Sequence, residues 1–357
     1  MADSPRLRSR LPGAQPARGG SEYPPLYPCD WSHAHPHTER GKLRAVHLTI
    51  QLAGPAGEPV DLWRTLVSHG VADLPPMRVD EEERTLTATL ALPGMKPRTV
   101  VVRPAGRSAR VDVLGPTPGT RTEQALRSVL RRVLNLDEDL SGFYETAAVD
   151  PELAWATAGA GRMLRSPSVF EEVTKTICTT NCAWSATVRM TTALVEHLGD
   201  PSAGAHGRAF PRPEAMAEAG DDFYRDVVRA GYRGAYLRNI AAAVATGELD
   251  LERLHDPDLS DADVAERLLA LPGVGPYAAA HVMMLLGRYS TLVLDSWTRP
   301  KYAGLTGKKK VADSTIIRRF RGYGPYAGLA FWLFLTRDWV PDPAEEAPIR
   351  LSAGEPR

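Results

Sequence analysis

The hydrophobic period of the chain changes once, near residue 120, and that change limits the fold more than any other feature. From 43 to about 115, LRAVHLTIQL, RTLTATLAL, TVVVRP and SARVDVLG alternate or run in β-formers, divided by turn residues such as AGPAGEP and PGMKP. VDLWRTLVSHGV, between the first two, reads as a short helix. Beyond 120, EQALRSVLRRVLNL and SPSVFEEVTKTICTTNCAWSATVRMTTALVEHLG carry apolar residues at three- and four-residue spacings. PRPEAMAEAG, DDFYRDVVRAG, RGAYLRNIAAAVATGEL and DADVAERLLAL continue the helical texture, often closed by Gly. The expectation is an α+β chain: a small antiparallel sheet domain over 42–118, then an all-helical domain over 119–342 without internal repeats.

Residues 1–41 are rich in Pro, Gly, Ser and Arg and predict a flexible arm, and 343–357 a tail. CDWSHAHPH, at 29–37, reads as a solvated part of that arm rather than a metal tract. The first twenty residues lack the apolar core of a signal peptide, and no run reaches 18 apolar residues, so a cytosolic protein is expected, without a membrane partner and as a monomer. Cys29, Cys178 and Cys182 are too few for a disulfide framework or a four-cysteine iron–sulfur cluster; buried thiols are expected and no metal or cofactor. With 43 basic and 43 acidic residues the net charge is zero, so any affinity for nucleic acid must come from a local patch.

The stretch LPGVGPYAAAHVMMLLGRYSTLVLDSWTRP, 271–300, is the most informative. DADVAERLLAL supplies one helix, PGVG a tight turn and PYAAAHVMMLLG a second helix with Pro at its start, where the missing N–H costs nothing. Gly273 and Gly275 allow close approach of the turn backbone to another surface. The free N–H groups of Gly273, Val274, Gly275 and the following first turn could hold a phosphate. A helix of 12 residues runs about 18 Å, so a chain that turns after it can bring Asp295 back near the hairpin. Asp295 could also cap the segment SWTRPKY. From Arg299 to Arg321, eight basic residues stand against one acid, Asp313. Among them Lys301, Lys308, Lys309 and Lys310 are candidate phosphate contacts, whose affinity would fall with salt.

LPGVGPYAAAHVMMLLGRYSTLVLD resembles the helix–hairpin–helix DNA glycosylase superfamily. ICTTNCAWSATVRMTTALVEHLG, GYRGAYLRNIAAAVATGELDL and LRRVLNLDEDLSGFY are similar to the branch holding the bacterial alkyladenine and the oxoguanine glycosylases. The likeness spans roughly 43–340. It implies that Asp295 is catalytic, since breaking an N-glycosidic bond builds positive charge on the sugar that a fixed carboxylate stabilises. Bifunctional relatives carry a Schiff-base lysine two residues after the second hairpin glycine; here that residue is Tyr277, which implies a monofunctional enzyme. The same resemblance makes Tyr277 an aromatic wall for a flipped base and puts Asn181 where relatives fill the gap in the duplex. Trp184, Trp297 and His281 are further pocket candidates, though His281 also reads as a core histidine and FWLF, 331–334, as core. No second acid is tied to the motif by spacing, which favours an already cationic alkylated purine over oxidised or deaminated bases. A non-catalytic helix–hairpin–helix DNA-binding protein is the alternative.

Overall fold

The computed structural model describes residues 46–340. The arm to residue 41, Cys29 with its CDWSHAHPH segment, and the tail at 343–357 lie outside them. Five antiparallel strands, β1 (Val46–Gln51), β2 (Met77–Asp80), β3 (Thr85–Leu92), β4 (Met95–Ala105) and β5 (Ser108–Val113), form one sheet in the order β1-β5-β4-β3-β2. Register follows the pleat: Leu48 faces Val111, which in turn faces Val102 on β4. Those residues turn inward with Leu86 and Val100 onto one apolar face. The second strand was not anticipated, because four residues reading Met-Arg-Val-Asp at a sheet edge carry almost no apolar period.

Helix α1 (Leu62–Leu66), capped by the Asp61 carboxylate, covers part of this face. The rest is covered by α2 (Thr120–Val133), whose Leu126, Leu130 and Val133 are buried against the sheet. The first helix after the period change therefore shares the core of the strands before it, and the fold is α+β.

The remaining helices are α3 (Ser141–Ala147), α4 (Val169–Thr179), α5 (Trp184–Leu198), α6 (Pro213–Glu218), α7 (Arg233–Ala245), α8 (Asp261–Leu269), α9 (Pro276–Leu285), α10 (Thr298–Leu305), α11 (Asp313–Phe320) and α12 (Ala327–Thr336). They build two apolar cores. One joins α4, α5, α7 and α8; the other joins α3, α10, α11 and α12 and contains Phe331, Trp332, Leu333 and Phe334. Both receive residues from α9, which is buried on every side from Ala278 to Leu285. None of the described helices is long and apolar enough to cross a membrane.

Polar contacts weld sheet to helices. The fully buried Arg162 donates to Glu58 Oε1 (2.7 Å) and to the carbonyls of Glu138 (2.8 Å) and Asn135. Lys175 of α4, also buried, pairs with Glu171 (2.6 Å) and donates to Leu74 O (3.2 Å). Beside it Glu172 is wholly buried, accepting from the Ser166 amide at 3.1 Å. Burial pushes its carboxyl up to about 7, against the opposing pull of Arg132 and Arg165.

A carboxyl raised on folding favours the native state below its unfolded value of about 4.3 and loses that contribution as pH climbs through 7. Glu172→Gln keeps an acceptor for the Ser166 amide but removes the titration. It should be more stable than the parent at pH 8, by up to about 3 kcal/mol, and lose most of that advantage at pH 5. Urea unfolding at the two pH values checks this.

Candidate nucleic-acid interface and active site

The hairpin forms as the sequence suggests. Ser260 and Asp263 make a reciprocal capping box that starts α8, the chain reverses through Pro272–Gly275, and Pro276 opens α9. Gly273 takes φ +84°, and a Cβ there would stand 2.7 Å from Tyr236 Cδ2 on α7. Val274 departs from its expected role. Its amide donates to Leu271 O within the turn (3.2 Å) and its side chain is buried. The amides of Gly273, Gly275 and the first turn of α9 are what the hairpin offers to an anion.

The return path after α9 is pinned in several places. Arg288 donates to Leu259 O (2.8 Å), Asp256 O (2.7 Å) and Asp261 Oδ1 (3.0 Å), while Ser290 hydrogen-bonds the other Asp261 oxygen. The Gly328 amide donates to Tyr289 O (2.6 Å), and Leu292 and Val293 are buried. Asp295 emerges at the end of this segment. Its Oδ1 accepts from the amides of Trp297 (2.8 Å) and Thr298 (2.6 Å), and its own amide donates to Thr298 Oγ1 (2.8 Å). The carboxylate thus caps the first amide of α10, although the N-cap position of that helix is Trp297. Its Oδ2 has no hydrogen-bond partner or ion pair among the described residues, so the carboxylate is held by one oxygen and presents the other.

Tyr277, in the first turn of α9, is within electrostatic reach of this acid. Burial pushes its hydroxyl above the ordinary phenol range; the Asp295 carboxylate adds to the shift and a hydrogen bond with Thr179 opposes it. Its ring is nearly parallel to that of His281 one turn on, at 26° and 6.2 Å between centroids. His281 is 3 % exposed, and its Nε2 has no partner. A core position holds for this residue, but not the satisfied hydrogen bonds expected with it.

Asn181 sits exposed between α4 and α5 with φ +46°, a left-handed conformation Asn tolerates better than most residues. Arg233 of α7, itself buried, fixes the residue before it by donating to Thr180 O and Thr180 Oγ1 (3.3 Å). The Arg233 guanidinium lies 4.6 Å over the ring of Tyr232, which is 54 % exposed and packs edge-on to Tyr236. Tyr236 is the residue against Gly273. A set of contacts therefore runs from the Asn181 turn across α7 to the hairpin. Arg233, Tyr232 and Tyr236 escaped sequence reasoning; GYRGAY marks the spot, but only the fold sets it beside the hairpin.

Two candidates are otherwise engaged. Trp297 gives its amide to Asp295 while its ring joins Trp332 (5.7 Å) and Trp339 (5.8 Å). Lys301 pairs with Asp338 at 2.7 Å and its side chain is 9 % exposed, which removes it from the surface where a phosphate would be met. Arg299 is likewise held by Asp313 (2.8 and 2.9 Å). Lys308, Lys309 and Lys310 are exposed between α10 and α11, and Trp184 begins α5 half-buried. Cys178 and Cys182 do not share a helix: α4 ends between them, burial pushes the Cys178 thiol up to about 12, and Cys182 Sγ donates to Cys178 O. No three His, Cys, Asp or Glu side chains among the described residues gather as a metal site.

No family model matches the chain. A DNA-3-methyladenine glycosylase of Bacillus subtilis is 30% identical over 162 residues, 44% of this chain and 52% of that protein. The chain thus spans about half the length of the curated relatives it matches. Among solved structures, MBOgg1 in complex with a low-affinity DNA ligand superposes with a TM-score of 0.64 at 21% identity, covering 84% of this chain and 97% of that one. A 3-methyladenine DNA glycosylase from Archaeoglobus fulgidus gives 0.63 at 21% identity, covering 83% and 100%. An 8-oxoguanine glycosylase/lyase from Clostridium acetobutylicum gives 0.60 at 21% identity, covering 77% and 92%. The fold is the one these glycosylase structures share, and the curated relatives carry the 3-methyladenine glycosylase name to which the sequence resemblance pointed.

Gly273→Ala meets both a left-handed backbone and the Tyr236 ring. We expect it to destabilise the protein by roughly 1–3 kcal/mol and to displace the hairpin amides. Chemical denaturation measures the first effect, and duplex DNA affinity measured below the unfolding transition the second.

Proposed function

We propose that the chain is a monofunctional DNA glycosylase that hydrolyses the N-glycosidic bond of a flipped, damaged base and leaves an abasic site. The observation that carries this reading is the Asp295 carboxylate, anchored through Oδ1 by two amides and within electrostatic reach of Tyr277 in the first turn after the hairpin. Positive charge developing at C1′ would meet a carboxylate that does not have to reorganise, an interaction worth about 3–4 kcal/mol. The hairpin amides and Lys308–Lys310 would hold the duplex through phosphates, with Asn181 filling the space the base leaves. Trp184 is a further candidate lining residue beside that turn.

Tyr277 supports hydrolysis over lyase chemistry, because a phenol cannot form a Schiff base. The lysines near the site do not replace the missing amine: Lys175 is buried in its pair with Glu171, and Lys301 is held by Asp338. An alkylated purine is the first substrate class. Such a base carries its own positive charge and leaves without a second acid, and the aromatic face of Tyr277 attracts cations. Oxidised and deaminated bases are the alternatives to compare against it.

Asp295→Asn keeps an oxygen to accept from Trp297 and Thr298, so α10 should stay capped. Base release in single turnover should drop at least about a hundredfold while lesion-duplex affinity changes only a few-fold; equal rates would leave a DNA-binding protein without this chemistry. With the parent, strand breaks should appear only after alkali, and breaks without it would overturn the monofunctional assignment.

A further inference from the structure

A cavity of about 590 Å³ opens between α10, α11 and α12, and the hydrolysis proposed above makes no use of it. Its wall is apolar where Tyr302 and Leu305 of α10 meet Phe334 of α12, and basic where Lys308, Arg318 and Arg319 line it. Glu152, the acid in this lining, pairs with Arg319 and, at 3.6 Å, with Arg337. Lys308 and Arg318 stand exposed, without an ion pair among the described residues. An apolar wall edged by uncompensated cations fits a segment that carries acids beside aliphatic side chains.

The chain itself supplies such a segment. After Val340 it reads PDPAEEAPIRLSAGEPR, with Asp342, Glu345 and Glu346 ahead of Ile349 and Leu351. Its point of departure is fixed near the cavity: Arg337 lies 4.7 Å over the Phe334 ring, Asp338 pairs with Lys301 at 2.7 Å one turn before Leu305, and Val340 O accepts from Arg64 at 3.0 Å. Glu345 is seven residues past Asp338, a reach of up to about 25 Å, against about 6 Å for a turn of α10. We propose that residues 342–351 dock in this cavity, acids on Lys308 and Arg318 and aliphatic side chains against Leu305 and Phe334, and that while docked they withhold those two cations from phosphates. A linker of a few residues holds its segment at a millimolar local concentration, so a contact of only about 0.1 mM affinity keeps it docked roughly nine-tenths of the time. Pro341, Pro343 and Pro348 narrow the backbone states open to the free segment, which lowers the entropy lost on docking. The withholding, unlike the docking, rests on the duplex partner proposed above.

The test treats the full chain with trypsin and times the release of residues 351–357, by cleavage after Arg350, against a free peptide of residues 341–357. Docking should slow that cleavage roughly tenfold, and less so as salt rises. Lys308→Gln with Arg318→Gln, and separately Glu345→Gln with Glu346→Gln, should each bring the rate to within about twofold of the free peptide of matching sequence. Cleavage of the parent at the free-peptide rate overturns the proposal. So does protection that either pair of substitutions leaves in place, and so does protection that grows with protein concentration, which would belong to a second copy. Withholding is read separately, as affinity for an undamaged duplex at low salt: Glu345→Gln with Glu346→Gln should bind about two- to fivefold tighter than the parent, and equal affinity overturns that half. A parent that releases no base from any lesion duplex would remove the glycosylase reading yet leave the protection unchanged, so the two failures are told apart.

Discussion

The complete burial of α9 is the constraint on which the rest depends. From Ala278 to Leu285 every residue is buried, with Ala279, Val282 and Met283 in one helical core and Ala280, Met284 and Leu285 in the other. Each large side chain here contributes about 1.5–3 kcal/mol through burial. Three successive alanines let neighbouring helices come close. A helix packed on all sides cannot rotate or slide without opening both cores, so the residues at its N-terminal end are fixed in space. Tyr277 and His281 take their positions from that packing.

The segments around α9 are tied to it by a few specific polar bonds. Arg288 and Ser290 grip the start of α8 through Asp261, so the two ends of the helical hairpin are cross-linked where the chain turns back. Gly328 lies against the Tyr289 and Thr291 carbonyls, with 2.2 Å from a would-be Cβ to Thr291 O, and α12 thereby presses on the return segment. On the other side, Arg233 holds the Asn181 turn. Two loops far apart in sequence are positioned by the same helical frame.

The sheet, the two-helix hairpin and the principal helices were legible because their apolar residues keep a period of two or of 3.6. The edge strand Met77–Asp80 was not, since its short, polar sequence takes its conformation from the β3 ladder. Within the site, Asp295 and Tyr277 could be placed by their distance from the hairpin glycines. Lys301 misled because charge counting ignores partners, and Asp338 is 37 residues away. Val274 misled for a more local reason: spacing shows that a turn exists but not which amide closes it. His69, which packs edge-to-face on His281, was invisible to sequence reasoning, because nothing in the sheet region signals contact with α9.

Asp295 and His281 divide the energetic demands of the site in opposite ways. The carboxylate that would act on the sugar also caps α10, so the bonds that stabilise the fold are the ones that hold it ready, and function here asks no sacrifice of stability. His281 and His69 stand the other way: each buries a ring nitrogen without a partner, which weakens the folded protein. The acid is fixed in the free protein, so a positive charge developing beside it would meet a group that has no rearrangement left to make.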